Sequence, residues 1–154
     1  MELKSDTEAV KTQAKRPRGL SIRQPWARAI LSGEKDCENR SWTVADAPFW
    51  FVLHIGKAKT KNTDETLLKE AKTKPHLLEW NKTQLPDSGC LVALVHVASI
   101  RRMTSVDADK PYRSGPFLWT IDRVVPFEKP IPCVGRLQLW TIPDSVWKAC
   151  CRQF

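Results

Sequence analysis

Six segments of the chain carry the alternating or continuous apolar pattern of β-strands. They are residues 20–22, 36–42, 49–55, 90–100, 117–127 and 133–141. The run over 90–100, CLVALVHVASI, is the most apolar of the six and predicts a central strand covered on both faces. The segment 36–42 differs, because Glu38 and Arg40 lie side by side on one of its faces. Such a face is typical either of a charged edge strand or of a strand that lines a binding site.

The first helix is predicted directly after the first strand. Pro25 suits the first turn of a helix, and Gly33 suits the position just past its end. Between them, Trp26, Ile30 and Leu31 form one apolar stripe. The segment from strand to helix to glycine turn to charged strand therefore organises the N-terminal half of the chain.

The remaining segments define the predicted domain organisation. Apolar spacing indicates a helical segment over 62–80, interrupted by Pro75, and a short final helix over 143–151. Residues 1–18 are polar and charged without apolar periodicity, which is typical of disorder. We therefore predict a disordered basic N-terminal arm over 1–18 and one folded domain over 19–154, with a helical insertion over 62–88.

Positive charge is concentrated in one part of the chain. The 154 residues carry a formal net charge of +8, and residues 15–61 hold ten Lys and Arg against four acidic residues. A local basic excess suits a partner that bears phosphates, because each neutralised phosphate releases counterions. The alternative is a basic protein with no such partner, since net charge alone governs only solubility and non-specific association.

The composition argues against several other classes of protein. No apolar run approaches the ~20 residues that span a bilayer, and the N-terminus lacks the apolar core of a signal peptide. We therefore expect an intracellular protein, cytoplasmic or nuclear, without a membrane partner. The five Cys form no CxxC pair, and His54, His76 and His96 have no ligand spacing. No metal site and no cofactor is predicted.

Several motifs resemble those of a known family. The sequence SIRQPWA over 21–27, followed by Gly33-x-Lys35 and by ENRxW over 38–42, resembles the opening of an ASCH domain. The motifs HIGK over 54–57, GPFxW over 115–119 and PCxGRLxLW over 132–140 resemble its later strands. The resemblance covers residues 19–142. It implies an α+β fold of the PUA-like type, a small mixed β-barrel of five or six strands with flanking helices.

A set of polar and aromatic side chains forms the candidate site, a cleft lined by the first helix and the second strand. The start of the helix offers free N–H groups to an anion, and Lys35 is expected to act as a mobile point charge. Arg40 presents a planar fork to a phosphate or a base edge, while Glu38 orients Arg40 or accepts from a base amino group. The predicted nucleic-acid-binding residues are Arg23, Gln24, Trp26, Lys35, Glu38, Asn39, Arg40, His54 and Lys57.

Three of the aromatic candidates have a structural alternative. Either Trp26 or Trp119 has the ring needed to stack a base, which is worth ~1–3 kcal/mol. Both also suit core packing, because tryptophans are usually largely buried. His54 lies at the polar end of a strand, where it is either a hydrogen-bonded structural residue or a ligand-binding group.

The family resemblance implies two kinds of function. PUA-like domains bind RNA, and several ASCH members are taken as nucleic-acid binders or coactivator modules. Small bacterial members are amidohydrolases that remove an acyl group from a modified cytidine, using a Lys, a Thr three residues on and a separate Glu. Lys35 matches the Lys, but Glu38 stands where the Thr is expected, and no Glu occurs from Trp80 to Phe127.

We therefore predict binding of RNA, of another single-stranded nucleic acid or of a modified nucleoside, without turnover. The alternatives are a hydrolase acting on acylated nucleosides, a ribonuclease, and a protein-interaction module that uses exposed tryptophans.

Overall fold

Six strands form one mixed sheet, and the helices lie in the connections between them. The computed structural model describes residues 2–82 and 86–154. A 3-10 turn over Ser105–Asp107 connects the fourth and fifth strands. The elements are α1 (Glu2–Thr12), β1 (Arg18–Gln24), α2 (Trp26–Leu31), β2 (Cys37–Arg40), β3 (Phe49–Lys59), α3 (Glu65–Ala71), α4 (His76–Lys82), β4 (Cys90–Arg102), β5 (Phe117–Pro132), β6 (Leu139–Trp140) and α5 (Asp144–Cys151).

The sheet is open rather than closed. Its strand order is β2-β5-β4-β3-β1-β6, with β1 and β3 parallel and the other neighbours antiparallel. The mixed α+β class and the six strands agree with the prediction, but the closed barrel is not confirmed. Within the described residues, no ladder joins the edge strands β2 and β6. One side chain of β2 reaches β1 instead, because Arg40 Nη2 donates to the Ser21 carbonyl oxygen at 3.2 Å.

Apolar side chains cover both faces of the central strands. Phe51, Leu53 and Ile55 of β3 lie in a cluster that includes Ala27 and Ile30 of α2. The neighbouring Val52 lies in a second cluster with Leu91, Leu94 and the Trp147 ring of α5. Both faces of β3 are therefore buried.

The N-terminal segment is not the disordered arm that the sequence predicts. Residues Glu2–Thr12 form α1, and the side chain of Val10 is only 2% exposed. Val10 packs in the cluster that contains Trp147 and Cys150. Among the described side chains of α1, at positions 6–12, Val10 is the buried apolar one, which is too little for a periodic signal in the sequence. Residue 1 of the predicted arm and residues 83–85 of the predicted insertion lie outside the described part of the chain.

The predicted strand over 133–141 is also wrong for most of its length. Only Leu139 and Trp140 pair, in β6, and residues 133–138 form a loop. Instead, β5 continues as far as Pro132, along β4. In the described residues, β2 pairs with β5 only over 117–120, so residues 124–132 have a partner strand on the β4 side alone. Prolines are tolerated in such a segment because its outer edge needs no N–H donors. The segment predicted to be helical contains α3 and α4.

The described helices differ in length or hydropathy from helices that span a bilayer. None of those in residues 2–82 and 86–154 is long and apolar enough to cross a membrane.

The docking of α1 leads to a test by mutation. Val10→Ala removes two buried methyl groups and should lower the free energy of unfolding by about 1.5 kcal/mol, as measured by urea denaturation. Thr12→Ala, at an exposed position of the same helix, is the matched control and should change it by less than about 0.5 kcal/mol. Equal stability of the two variants would mean that α1 does not contribute to the core.

Candidate functional site

One large cavity brings together most of the predicted site residues. Its volume is about 1190 Å³, and its walls come from the ends of β1 and β3, from α2 and β2, and from the loop over 133–138. Gln24 is the one predicted residue that lines a different, smaller cavity. The predicted residues that line the large cavity are Arg23, Trp26, Lys35, Glu38, Asn39, Arg40, His54 and Lys57.

A buried carboxylate held between two cations forms the floor of the cavity. Lys35 Nζ lies 3.0 Å from Glu38 Oε1, and Arg40 reaches Glu38 Oε2 through Nε at 2.9 Å and Nη2 at 2.8 Å. Burial alone would raise the pKa of the Glu38 carboxyl, but the charges and hydrogen bonds of Lys35 and Arg40 outweigh it and hold this pKa below its usual value. Glu38 is therefore ionised near neutral pH and can only accept hydrogen bonds.

The turn after α2 places Lys35 in this group. Gly33 has a φ of 84°, a left-handed conformation that ends the helix and reverses the chain. The Lys35 side chain is only 2% exposed and ion-paired, so the expectation of a mobile point charge is wrong. Its ammonium instead lies 5.7 Å from the centre of the Trp26 ring, within the range of a cation–π contact.

Asn39 lines the cavity but uses its side chain to hold a loop. Its Nδ2 donates to the Tyr112 carbonyl oxygen at 2.9 Å, and its Oδ1 accepts from the backbone N–H groups of Ser114 and Gly115 at 2.9 and 3.0 Å. These bonds connect β2 to the loop before β5. The polar atoms of the Asn39 side chain therefore have protein partners, and its contact with nucleic acid stays a prediction.

Gln24 occupies the helix start that was expected to bind an anion. Its Oε1 accepts from the Arg28 N–H at 3.0 Å, and its backbone carbonyl accepts from both the N–H and the hydroxyl of Thr60. Pro25 supplies no N–H at this end, and α2 has only six residues. Gln24 therefore takes one of the N–H groups that were expected to face an anion.

His54 fixes the loop over 133–138. Its Nε2 lies 2.8 Å from the Cys133 carbonyl oxygen, which can only accept, so Nε2 carries the proton. Burial lowers the pKa of His54, against backbone hydrogen bonds that raise it, which favours the neutral ring. Nδ1 then accepts from the Ser21 hydroxyl at 2.9 Å. These contacts are those of a hydrogen-bonded structural residue, which is one of the two interpretations of His54.

The two candidate stacking residues differ in exposure. Trp119 is 0% exposed and packs edge-on against Trp42 and Phe49, which leaves it no face for a base. Trp26 is half-buried and lines the cavity, with an edge contact to Tyr112 at 6.1 Å between ring centres. Trp26 is thus the stacking candidate that the structure retains.

Exposed cations surround the mouth of the cavity. We call Arg23, Lys57, Lys61 and Arg136 the cationic rim; all four are exposed, and none has a carboxylate partner among the described residues. Both carboxylates of the lining have partners. Asp64 caps α3 by accepting from the Leu67 N–H at 2.9 Å, and Glu38 is bound by Lys35 and Arg40. Lys61 and Arg136 are not among the residues predicted from the sequence. The basic segment GKAKTK over 56–61 carries a signal for Lys61, whereas Arg136 lay in a predicted strand.

Comparison with known proteins identifies the family. A family model of the ASCH domain matches residues 20–114, more than half of the chain. The chain belongs to the ASCH domain family. This match confirms the predicted family for residues 20–114 and agrees with the mixed, PUA-like α+β fold. No curated protein matches the chain.

The ASCH match covers the buried end of the site but not all of the cavity. Trp26 and the Lys35–Glu38–Arg40 group lie within the matched range, whereas β5, β6 and the loop that carries Arg136 follow it. Within residues 2–82 and 86–154, no group of three or more His, Cys, Asp or Glu side chains could hold a metal ion.

The buried ion pair should show strong energetic coupling. Lys35→Met leaves Glu38 with one cation. It should lower the free energy of unfolding by about 3 kcal/mol, which is the lower end of the cost of breaking a buried ion pair. Lys35→Met combined with Glu38→Gln should cost less than the sum of the two single variants, since the double change leaves no unpaired carboxylate. Urea denaturation measures all three.

The chain offers a matched control for this cycle. Glu79 and Lys82 form an ion pair with the same three-residue separation, but both side chains are 73% exposed. Lys82→Met should change stability by less than about 0.5 kcal/mol. Additive costs at Lys35 and Glu38 would contradict the coupling.

The lowered pKa of Glu38 also predicts a pH dependence. A carboxyl whose folded pKa lies below its unfolded value of about 4.5 stabilises the fold fully above that pH. The stabilisation is lost as the pH falls through the folded pKa. The wild type should therefore lose more stability than the Lys35→Met and Glu38→Gln double variant between about pH 5 and pH 3. Identical acid unfolding curves, followed by circular dichroism, would count against an ionised Glu38.

Proposed function

We propose that the cavity binds single-stranded RNA, with one base at the buried end beside Trp26 and the phosphates on the cationic rim. The observation that carries the proposal is the excess of cations in a cavity whose carboxylates are already engaged. Six cationic side chains and two carboxylates line it. The choice of RNA among nucleic acids rests on the family, since ASCH domains are often linked to RNA binding.

The rim supplies the electrostatic part of this proposal. Its four side chains are exposed and have no acidic partner in the described ranges, so they are available to neutralise phosphates. Neutralised phosphates release condensed counterions, which favours binding at low salt. The rim cations thus account for affinity but not for sequence preference.

The buried end supplies the groups that contact a base. Trp26 offers a partly exposed ring for stacking. Glu38 accepts from an N–H at a base edge, because its carboxylate is ionised. Arg40 bonds Glu38 and Ser21 through Nε and Nη2, and its Nη1 has no acceptor among the described residues. That Nη1 is therefore available to donate to a base carbonyl or a phosphate.

Salt dependence tests the role of the rim. For four neutralised phosphates, the affinity of an eight-nucleotide RNA should fall with a slope of about −3 in log K against log salt. Lys57→Ala and Lys61→Ala should each make the slope shallower by about 0.7. Fluorescence anisotropy measures the slopes.

The control for the rim variants is Lys148→Ala. Lys148 is exposed on α5 and does not line the cavity, so its removal should leave the slope unchanged. Binding that is absent at low salt, or equally sensitive to Lys148→Ala, would argue against the proposal.

Replacement of Trp26 tests the base contact. Trp26→Leu should weaken RNA binding about 5- to 150-fold, which corresponds to the loss of about 1–3 kcal/mol of stacking. Trp80→Leu is the matched control, because Trp80 is half-buried and lies outside the cavity lining. Urea denaturation of both variants separates loss of binding from loss of fold, and equal affinities of the two would remove Trp26 from the site.

Product analysis tests the hydrolase alternative. Lys35 Nζ donates to Glu38, and both oxygens of Glu38 accept hydrogen bonds from cations. We therefore expect no release of cytidine when the protein is incubated with acetylated cytidine and the mixture is followed by chromatography. Multiple-turnover release that is lost in Glu38→Gln would make the protein an amidohydrolase.

A further inference from the structure

We infer that the cavity takes a single strand with three or more phosphodiester groups, in preference to a free nucleoside or a mononucleotide. This inference rests on the proposed function and specifies the class of its ligand. Three features of the cavity support it: its size, the separation of its charges and the fixed position of the loop that carries Arg136.

The cavity is larger than a site for one small molecule. Its volume of about 1190 Å³ exceeds the range of about 300–1,000 Å³ that is usual for small-molecule and cofactor sites. A single nucleoside at the buried end would leave the part of the cavity along the rim without a ligand. A chain of several nucleotides would fill both.

The charges divide the cavity into two parts. At the buried end, Lys35 and Arg40 share the charge of Glu38, and all three are linked by hydrogen bonds. The rim has four cations and no free carboxylate within the part of the chain that the structure describes. A mononucleotide carries one phosphate group, which is too few to neutralise four separate side chains.

The rim cations are also spread over different elements. Arg23 lies in β1 and Lys57 in the neighbouring β3, while Arg136 lies in the loop after β5. Lys61 follows Lys57 by four residues, up to about 13 Å along an extended chain. Arg23 and Lys57 lie on paired strands, where one phosphate can contact both, whereas Lys61 and Arg136 lie outside these strands and suit further phosphates of the same nucleic-acid strand.

Two contacts hold the backbone of the loop over 133–138, which carries Arg136. A Cβ on Gly135 would lie 2.5 Å from Ser21 Oγ and 2.6 Å from His54 Cε1, so only glycine fits at this contact. The hydrogen bond from His54 to the Cys133 carbonyl oxygen fixes the start of the same loop. A held backbone loses less conformational entropy on binding than a mobile one, which favours a contact of Arg136 in the bound state.

A series of ligand lengths tests the inference. Isothermal titration calorimetry at 0.1 M salt would compare a mixture of the four mononucleotides, random-sequence RNA of two, four and eight nucleotides, and ATP. Affinity should rise by about five-fold for each added phosphate contact. The rise should continue up to about four nucleotides and then level off. Arg136→Ala should weaken binding of the octamer about five-fold and of the mononucleotides less, while Lys148→Ala should affect neither.

The outcomes separate this inference from the proposed function. Mononucleotides that bind as tightly as the octamer would overturn the inference and leave the proposed function standing. ATP that binds as tightly as the four-nucleotide RNA would also overturn it, because the rim would then recognise a polyphosphate. If no RNA binds at any length, both the proposed function and the inference fail.

Discussion

The fold around the cavity depends on one buried negative charge. Glu38 is 6% exposed and lies in an edge strand. Burying an unpaired carboxylate costs several kcal/mol of free energy, because the ion loses its hydration. Lys35 from the turn after α2 and Arg40 from the same strand supply its counter-charges. Because Arg40 also donates to the Ser21 carbonyl in β1, this one group connects the helix turn, β2 and β1.

That connection explains how an open sheet still encloses a cavity. Between β2 and β1, which no backbone ladder joins in the described residues, the Arg40 guanidinium makes the contact. A side-chain bridge leaves room beside it that a ladder would fill. The cavity therefore lies where the sheet is left open, with a charged, hydrogen-bonded group for its floor and exposed cations along its rim.

The sequence predicted the elements whose signal is local. Pro25 and Gly33 marked the limits of α2, and the apolar pattern over 49–55 predicted the strand β3. The group of charged residues over 35–40 also follows from sequence, since a strand that begins near Cys37 places Glu38 and Arg40 on one face.

The rest could not be predicted because it depends on which partner each side chain takes in the folded chain. Asn39 was assigned to the ligand, but its partners lie more than seventy positions away, in the loop before β5. Gln24 binds the backbone of its own helix, a role that its residue type does not distinguish from ligand binding. Arg136 reached the rim only because His54 and Gly135 hold 133–138 as a loop, where alternation had indicated a strand.

Mapping the contacts of a bound strand tests the central claim, that this cavity is the RNA-binding surface. An eight-nucleotide RNA with a photoreactive thiouridine can be cross-linked to the full chain, and the modified residues identified by mass spectrometry. The account predicts adducts at Trp26 and within residues 57–61 and 133–138. Adducts confined to the surfaces of α1 and α5 would contradict it.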